Sequence, residues 1–76
     1  MEFEIQLRSV QDVLSFVALA TSREFPVRVG NSHHEVNGKS FMEMFCLNLK
    51  QPVTVHLDCS EEEFRQFQLD AKPFTL

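Results

Sequence analysis

The chain has 76 residues, of which 43% are hydrophobic and 24% charged, and its net charge is −4. This composition is typical of one small globular domain, and its acidic balance argues against a nucleic-acid partner, which needs clustered Lys and Arg. No apolar run approaches the roughly 18 residues of a membrane-spanning helix, so no membrane partner is expected.

The first residues, MEFEIQL, lack the basic and apolar regions of a secretory signal, so a cytoplasmic location is expected. Cys46 and Cys59 have the spacing of neither a disulfide framework nor a metal knuckle, and we expect reduced thiols. The chain has only two glycines and no glycine loop that could hold a phosphate. No cofactor is therefore expected.

Alternating apolar and polar residues predict a strand at the N-terminus. Its inward-facing residues are Phe3, Ile5 and Leu7. Ser9 followed by Asp12 resembles a capping box and begins a predicted helix over residues 10–23. The predicted core stripe of this helix consists of Val10, Val13, Leu14, Val17, Ala18 and Thr21, widened by Phe16 and Leu19.

The middle of the chain alternates again and predicts two strands joined by the turn residues Gly30-Asn31-Ser32. The first of these strands carries the apolar residues Phe25, Val27 and Val29. The second runs from His33 to Val36, and Asn37-Gly38 ends it.

Two further capping boxes follow. Ser40 with Glu43 predicts a short helix through about Leu47, and Ser60 with Glu63 predicts a last helix. The strand between these helices directs one row of side chains inward: Val53, Val55 and Leu57. Phe64, Phe67 and Leu69 of the last helix are expected to face inward.

This βαββαβα order predicts an α+β open-faced β-sandwich, in which a four-stranded antiparallel sheet carries the helices on one face. We expect the domain to span residues 1–70. Residues 71–76 are expected to form a frayed C-terminal tail.

The stretch VNGKSFMEMFCL, from Val36 to Leu47, resembles the second-helix segment "vNxKSIMgvmsL" of HPr. HPr is the histidine-containing phosphocarrier family of the bacterial sugar phosphotransferase system. The order of elements is also that of the family, and TSREF at the end of the first helix resembles the family's TASKF. The resemblance implies an HPr-like fold and a protein that works through protein partners and not as an enzyme.

The chain departs from this family at the phosphorylation site. The signature Gly-x-His-Ala-Arg-Pro is replaced by RSVQDVLSF. By the resemblance, Gln11 occupies the position of the phosphoacceptor histidine and Val13 that of the arginine that neutralises the phosphate. A carboxamide is not a usable nucleophile at nitrogen, and valine cannot pair with phosphate. The chain is therefore expected to be inactive as a phosphohistidine carrier.

One branch of the family, the catabolite-repression HPr paralogue, carries glutamine at that position. It works through a serine that HPr kinase phosphorylates, and the product docks on a transcriptional regulator. Ser40 matches that serine, and Phe41, Met42 and Phe45 match an exposed apolar patch of the family. The resemblance implies docking through these residues, with HPr kinase, a transcriptional regulator or a phosphotransferase-system enzyme as partner.

Ser40 has two interpretations. A phosphate there would meet the free N–H groups of a helix start and add a charge of about −1.5 to −2 to the docking surface. Alternatively, Ser40 is a helix cap worth about 1 kcal/mol. The Glu43 carboxylate favours the second interpretation, because it would repel a phosphate.

Three hypotheses about function follow: a regulator switched by phosphorylation of Ser40, a phosphocarrier that uses another histidine, and a scaffolding module without phosphorylation. The chain is expected to be a monomer or a weak dimer.

Four side chains are of the types that bind zinc, but their spacing fits no standard site and no metal is expected. These side chains are His33, His34, His56 and Cys59.

Overall fold

The structure is a computed structural model that describes all 76 residues. The strands are β1 (Glu2–Ile5), β2 (Val27–Gly30), β3 (Glu35–Asn37) and β4 (Val53–Leu57). The helices are α1 (Val10–Thr21), α2 (Phe41–Met44) and α3 (Glu61–Asp70), followed by a short 3-10 helix, Lys72–Phe74. None of the helices combines the length and the hydrophobicity that a membrane span requires.

The four strands form one antiparallel sheet in the order β1-β4-β2-β3. The interior strand β4 pairs with β1 and β2, so that Val55 stands opposite both Phe3 and Val29. Alternate residues of β4 are buried on the helix side, as their period of two predicts: Val53, Val55 and Leu57. The predicted α+β open-faced sandwich, with a four-stranded antiparallel sheet and helices on one face, is confirmed.

The core lies between the sheet and the helices, and Phe67 on α3 occupies its centre. This fully buried ring packs within 6.2 Å, centroid to centroid, of the rings of Phe3, Phe16 and Phe25. Arg23 lies over the same ring at 5.8 Å and pairs with the Asp70 carboxylate. The Phe67 ring therefore joins β1, α1, α3 and the segment that leads into β2.

Helix α1 is rotated relative to the predicted stripe. Its buried residues are Val13, Phe16 and Ala20, while Val10 and Leu14 are 60% and 43% exposed. The prediction that these two belong to the core is wrong, because α1 turns Phe16 toward Phe67 and thereby turns its opposite edge outward. Ala18 and Thr21, also predicted in the stripe, are exposed as well. Leu69, expected to face inward on α3, is also exposed.

Three predicted segments are shorter than expected. Helix α1 ends at Thr21 instead of residue 23. Helix α2 ends at Met44 instead of Leu47. Strand β3 begins at Glu35 instead of His33, because the Asn31 side chain accepts hydrogen bonds from the N–H groups of His33 and His34 and holds them in a turn.

The C-terminal segment is ordered, so the prediction of a frayed tail is wrong. Ala71 and Phe74 are buried, and the Phe74 ring packs edge to face on Phe16 at 6.1 Å. The Phe74 carbonyl accepts the N–H of Gln6 at 2.8 Å, and Thr75 forms an isolated bridge with Ile5. The tail thus covers the outer edge of β1.

We predict that Phe74→Ala lowers the free energy of unfolding by about 3–5 kcal/mol, because it leaves a cavity beside Phe16. Urea-induced unfolding measures this loss. Leu76→Ala is the matched control, since Leu76 is exposed and its removal should change stability by no more than about 0.5 kcal/mol. Equal stability of the two variants would contradict the packed tail.

Candidate functional site

Ser40 is held at the start of α2 by a tightly bonded turn. Gly38 donates its N–H to the Val27 carbonyl at 2.8 Å, and a Cβ at this glycine would lie 2.8 Å from a Val27 methyl carbon. Lys39 extends its ammonium to the Arg23 carbonyl at 2.6 Å. The turn is therefore packed directly on β2 and on the end of α1, and it fixes the position of Ser40.

The Ser40 side chain caps α2, since its hydroxyl accepts the N–H of Glu43 at 3.2 Å. The reciprocal half of the predicted capping box is absent. The Glu43 carboxylate instead accepts the N–H of Asn37 at 3.2 Å, and the N–H of Ser40 donates to the Asn37 carbonyl. Both halves do form at Ser60 and Glu63, where the predicted box is confirmed.

Three apolar side chains beside Ser40 are directed toward solvent. Phe41, Met42 and Phe45 are 39%, 81% and 45% exposed, and the two rings pack edge to face at 4.8 Å. We call these three residues the α2 patch. Met44 and Leu47 from the same segment are buried and attach it to the core. The α2 patch is therefore apolar surface that is exposed to solvent and is not part of the core.

Gln11 and Val13 lie on the first turns of α1. Gln11 is exposed, and its amide nitrogen donates to the Ser15 hydroxyl at 3.4 Å. Val13 is buried in the core. An arginine at position 13 would therefore have to direct its guanidinium out of the core before it could pair with a phosphate on residue 11.

The three histidines lie outside the helices. His33 and His34 are in the exposed turn before β3, and His56 is on the face of the sheet opposite the helices. His56 meets carboxylates at both ring nitrogens: Nδ1 lies 3.0 Å from Glu2 and Nε2 lies 3.8 Å from Glu35. A phosphate on either nitrogen would be placed against a negative charge. No group of three or more potential metal ligands lies together.

The two cysteines have different surroundings. Cys46 is exposed, and its thiol donates to the Met42 carbonyl at 3.8 Å. Cys59 is half-buried between β4 and α3. Burial raises the pKa of the Cys59 thiol, and the Glu63 and Asp58 carboxylates raise it further, against the opposing effect of the N-terminal ammonium.

A groove borders the α2 patch that the sequence pattern did not predict. It has a volume of about 770 Å³ and lies between the segment that joins β1 to α1 and the segment that joins α2 to β4. Phe45 lines one wall, and Val10 lines the other. The sequence did not indicate that Val10 lines a groove, because the helical periodicity of α1 predicted Val10 in the core.

The chain matches no protein-family model and no curated protein sequence. Among solved structures it is similar to the crystal structure of HPr-C-His from Thermoanaerobacter tengcongensis, with a TM-score of 0.75 and 23% sequence identity. The similarity covers 92% of this chain and 88% of that chain. It shows that the fold is HPr-like over nearly the whole chain.

We predict that Ser40→Ala lowers the free energy of unfolding by about 1 kcal/mol, because the N–H of Glu43 loses its acceptor. Glu43→Gln should cost less, since a carboxamide oxygen can still accept the N–H of Asn37. Urea-induced unfolding of the two variants tests this order. A larger loss for Glu43→Gln would contradict the bonds described here.

Iodoacetamide at mildly alkaline pH should alkylate Cys46 several times faster than Cys59. The reason is that Cys59 is half-buried and, with a raised pKa, forms less of the reactive thiolate. Mass spectrometry of Cys46→Ser and Cys59→Ser, compared over time, assigns the two rates. Faster alkylation of Cys59 would show that its surroundings are more open than in this structure.

Proposed function

We propose that this protein is a non-catalytic, HPr-like docking protein of the bacterial sugar phosphotransferase or carbon-regulation system, acting in the cytoplasm. The observation that carries the proposal is the exposed α2 patch beside Ser40, on a domain with an HPr-like fold. An exposed, contiguous apolar cluster on a small domain is typical of a protein-interaction surface. The flexible side chain of Met42 would let the patch adapt to more than one partner.

The residues at the start of α1 support a role without phosphohistidine chemistry. Gln11 has an amide in place of an imidazole, and no nucleophilic nitrogen is available there. His56 is a poor substitute because Glu2 and Glu35 face its two nitrogens. Docking on partners, without accepting a phosphate at Gln11 or His56, is thus the function that these side chains support.

Phosphorylation of Ser40 would regulate this docking. Ser40 directly precedes Phe41, so a phosphate on its hydroxyl would place a charge of about −1.5 to −2 at the border of the α2 patch. Its cost is repulsion by the Glu43 carboxylate, whereas the N–H of Glu43, which donates to the Ser40 hydroxyl, can still donate to a phosphate oxygen. That carboxylate is held by the N–H of Asn37, on the side of the turn that precedes Ser40.

A second candidate is a scaffolding module that uses the α2 patch without phosphorylation. The hydrogen bond at Ser40 favours it, because a capping role alone explains why serine stands at this position. The two candidates differ in their response to charge. A scaffold binds its partner equally well after Ser40→Asp and more weakly after Phe41→Ala, whereas a phosphorylation-controlled regulator responds to both changes.

The proposal is tested by incubating the protein with HPr kinase and ATP and measuring the intact mass. We expect one phosphate on the wild type and none on Ser40→Ala. Ser60→Ala is the matched control, because Ser60 caps α3 through the same kind of bond and should leave the modification unchanged.

A true HPr run in the same reaction shows that the kinase is active. No phosphate on the wild type under those conditions would reject the Ser40 switch and leave the scaffold. Phosphate on Ser40→Ala would reject the assignment of the site.

A further inference from the structure

The groove beside α2 has an apolar floor and a cationic rim. Leu7, Val10, Phe45 and Leu49 contribute apolar surface, and Arg8 and Lys50 stand at the two connecting segments that form its walls. The volume of about 770 Å³ is large enough for two or three side chains of a bound chain.

The charge of the groove differs from that of the whole protein. The chain has 11 acidic and 7 basic residues, yet the residues that line the groove include two basic and no acidic side chains. The nearby Asp12 does not line the groove; its carboxylate keeps its charge and accepts the backbone N–H of Arg8 at 2.9 Å. An occupant with apolar side chains and negative charge is therefore complementary to the groove.

The walls of the groove are tied to each other before anything binds. Gln6 donates its side-chain amide to the Leu49 carbonyl at 3.1 Å and so joins the two connecting segments. On one side the Arg8 guanidinium donates to the Gln6 carbonyl at 3.4 Å, and on the other the Asn48 side chain accepts the N–H of Lys50 at 3.2 Å. A preformed groove loses less conformational entropy when it is filled.

We propose that this groove binds a short peptide segment of a protein partner in which leucine or phenylalanine alternates with glutamate or aspartate. The apolar side chains enter between Val10 and Phe45, and the carboxylates meet Arg8 and Lys50. The inference rests on the proposed function only in that Phe45 belongs both to this groove and to the α2 patch. It adds a recognition site with its own charge requirement.

The experiment uses three fluorescein-labelled peptides with the same leucine and phenylalanine positions and with Glu, Gln or Lys between them. Fluorescence anisotropy gives their dissociation constants. Chemical-shift changes in the backbone amide NMR spectrum of the isotope-labelled protein map the site. We expect the Glu peptide to bind roughly three- to tenfold more tightly than the Gln peptide, and the Lys peptide to bind least. The shifts should centre on Arg8, Ser9 and Lys50 and not on Met42.

The double variant Arg8→Gln/Lys50→Gln should remove the preference for the Glu peptide. Arg65→Gln/Lys72→Gln is the matched control, because it removes the same charge from exposed positions outside the groove. Added salt should weaken the Glu peptide more than the Gln peptide, since exposed charges are screened.

Equal affinities for the Glu and Lys peptides, absence of binding, or shifts confined to Phe41 and Met42 would each overturn the proposal. Decanoate that binds more tightly than the Glu peptide and shifts the same amides would also overturn it, by assigning the groove to a small apolar anion. None of these results depends on HPr kinase. Failure of the groove and failure of the Ser40 switch are therefore separate outcomes.

Discussion

Phe67 is fully buried where the sheet and two helices meet, and rings from three other parts of the chain surround it. Such contacts fix relative orientation as well as burying area, because aromatic pairs favour edge-to-face geometry. Phe16 approaches Phe67 from α1, and Phe74 then closes over Phe16. The orientation of α1 and the docking of the C-terminal segment both follow from this cluster.

The same cluster explains why most of α2 can stay at the surface. Helices α1 and α3 cover the sheet around Phe67, so α2 contributes to the core mainly through Met44 and, just after its end, Leu47. Phe41, Met42 and Phe45 are left at the surface of a domain whose interior is already filled. The outward edge of α1 lies beside them and brings Val10 to the groove that Phe45 closes.

The fold could be predicted where one local pattern decides the structure, as in the alternation of β4 and the capping box at Ser60. The side-chain phase of α1 could not, because both Val10 and Phe16 fit an apolar stripe and only contact with Phe67 selects between them. The burial of Phe74 depends on Phe16, which is distant in sequence. At the candidate site, Ser40 was recognisable from its motif, whereas Arg8 and Lys50 line one groove only when two connecting segments are folded together.

The central claim is that the core is complete without the α2 patch. The most direct test is urea-induced unfolding of the triple variant Phe41→Gln/Met42→Gln/Phe45→Gln, measured beside Phe67→Ala. The account predicts that the triple variant folds and loses less than about 2 kcal/mol, whereas Phe67→Ala loses about 3–5 kcal/mol. A triple variant as unstable as Phe67→Ala would contradict it, because the patch would then belong to the core.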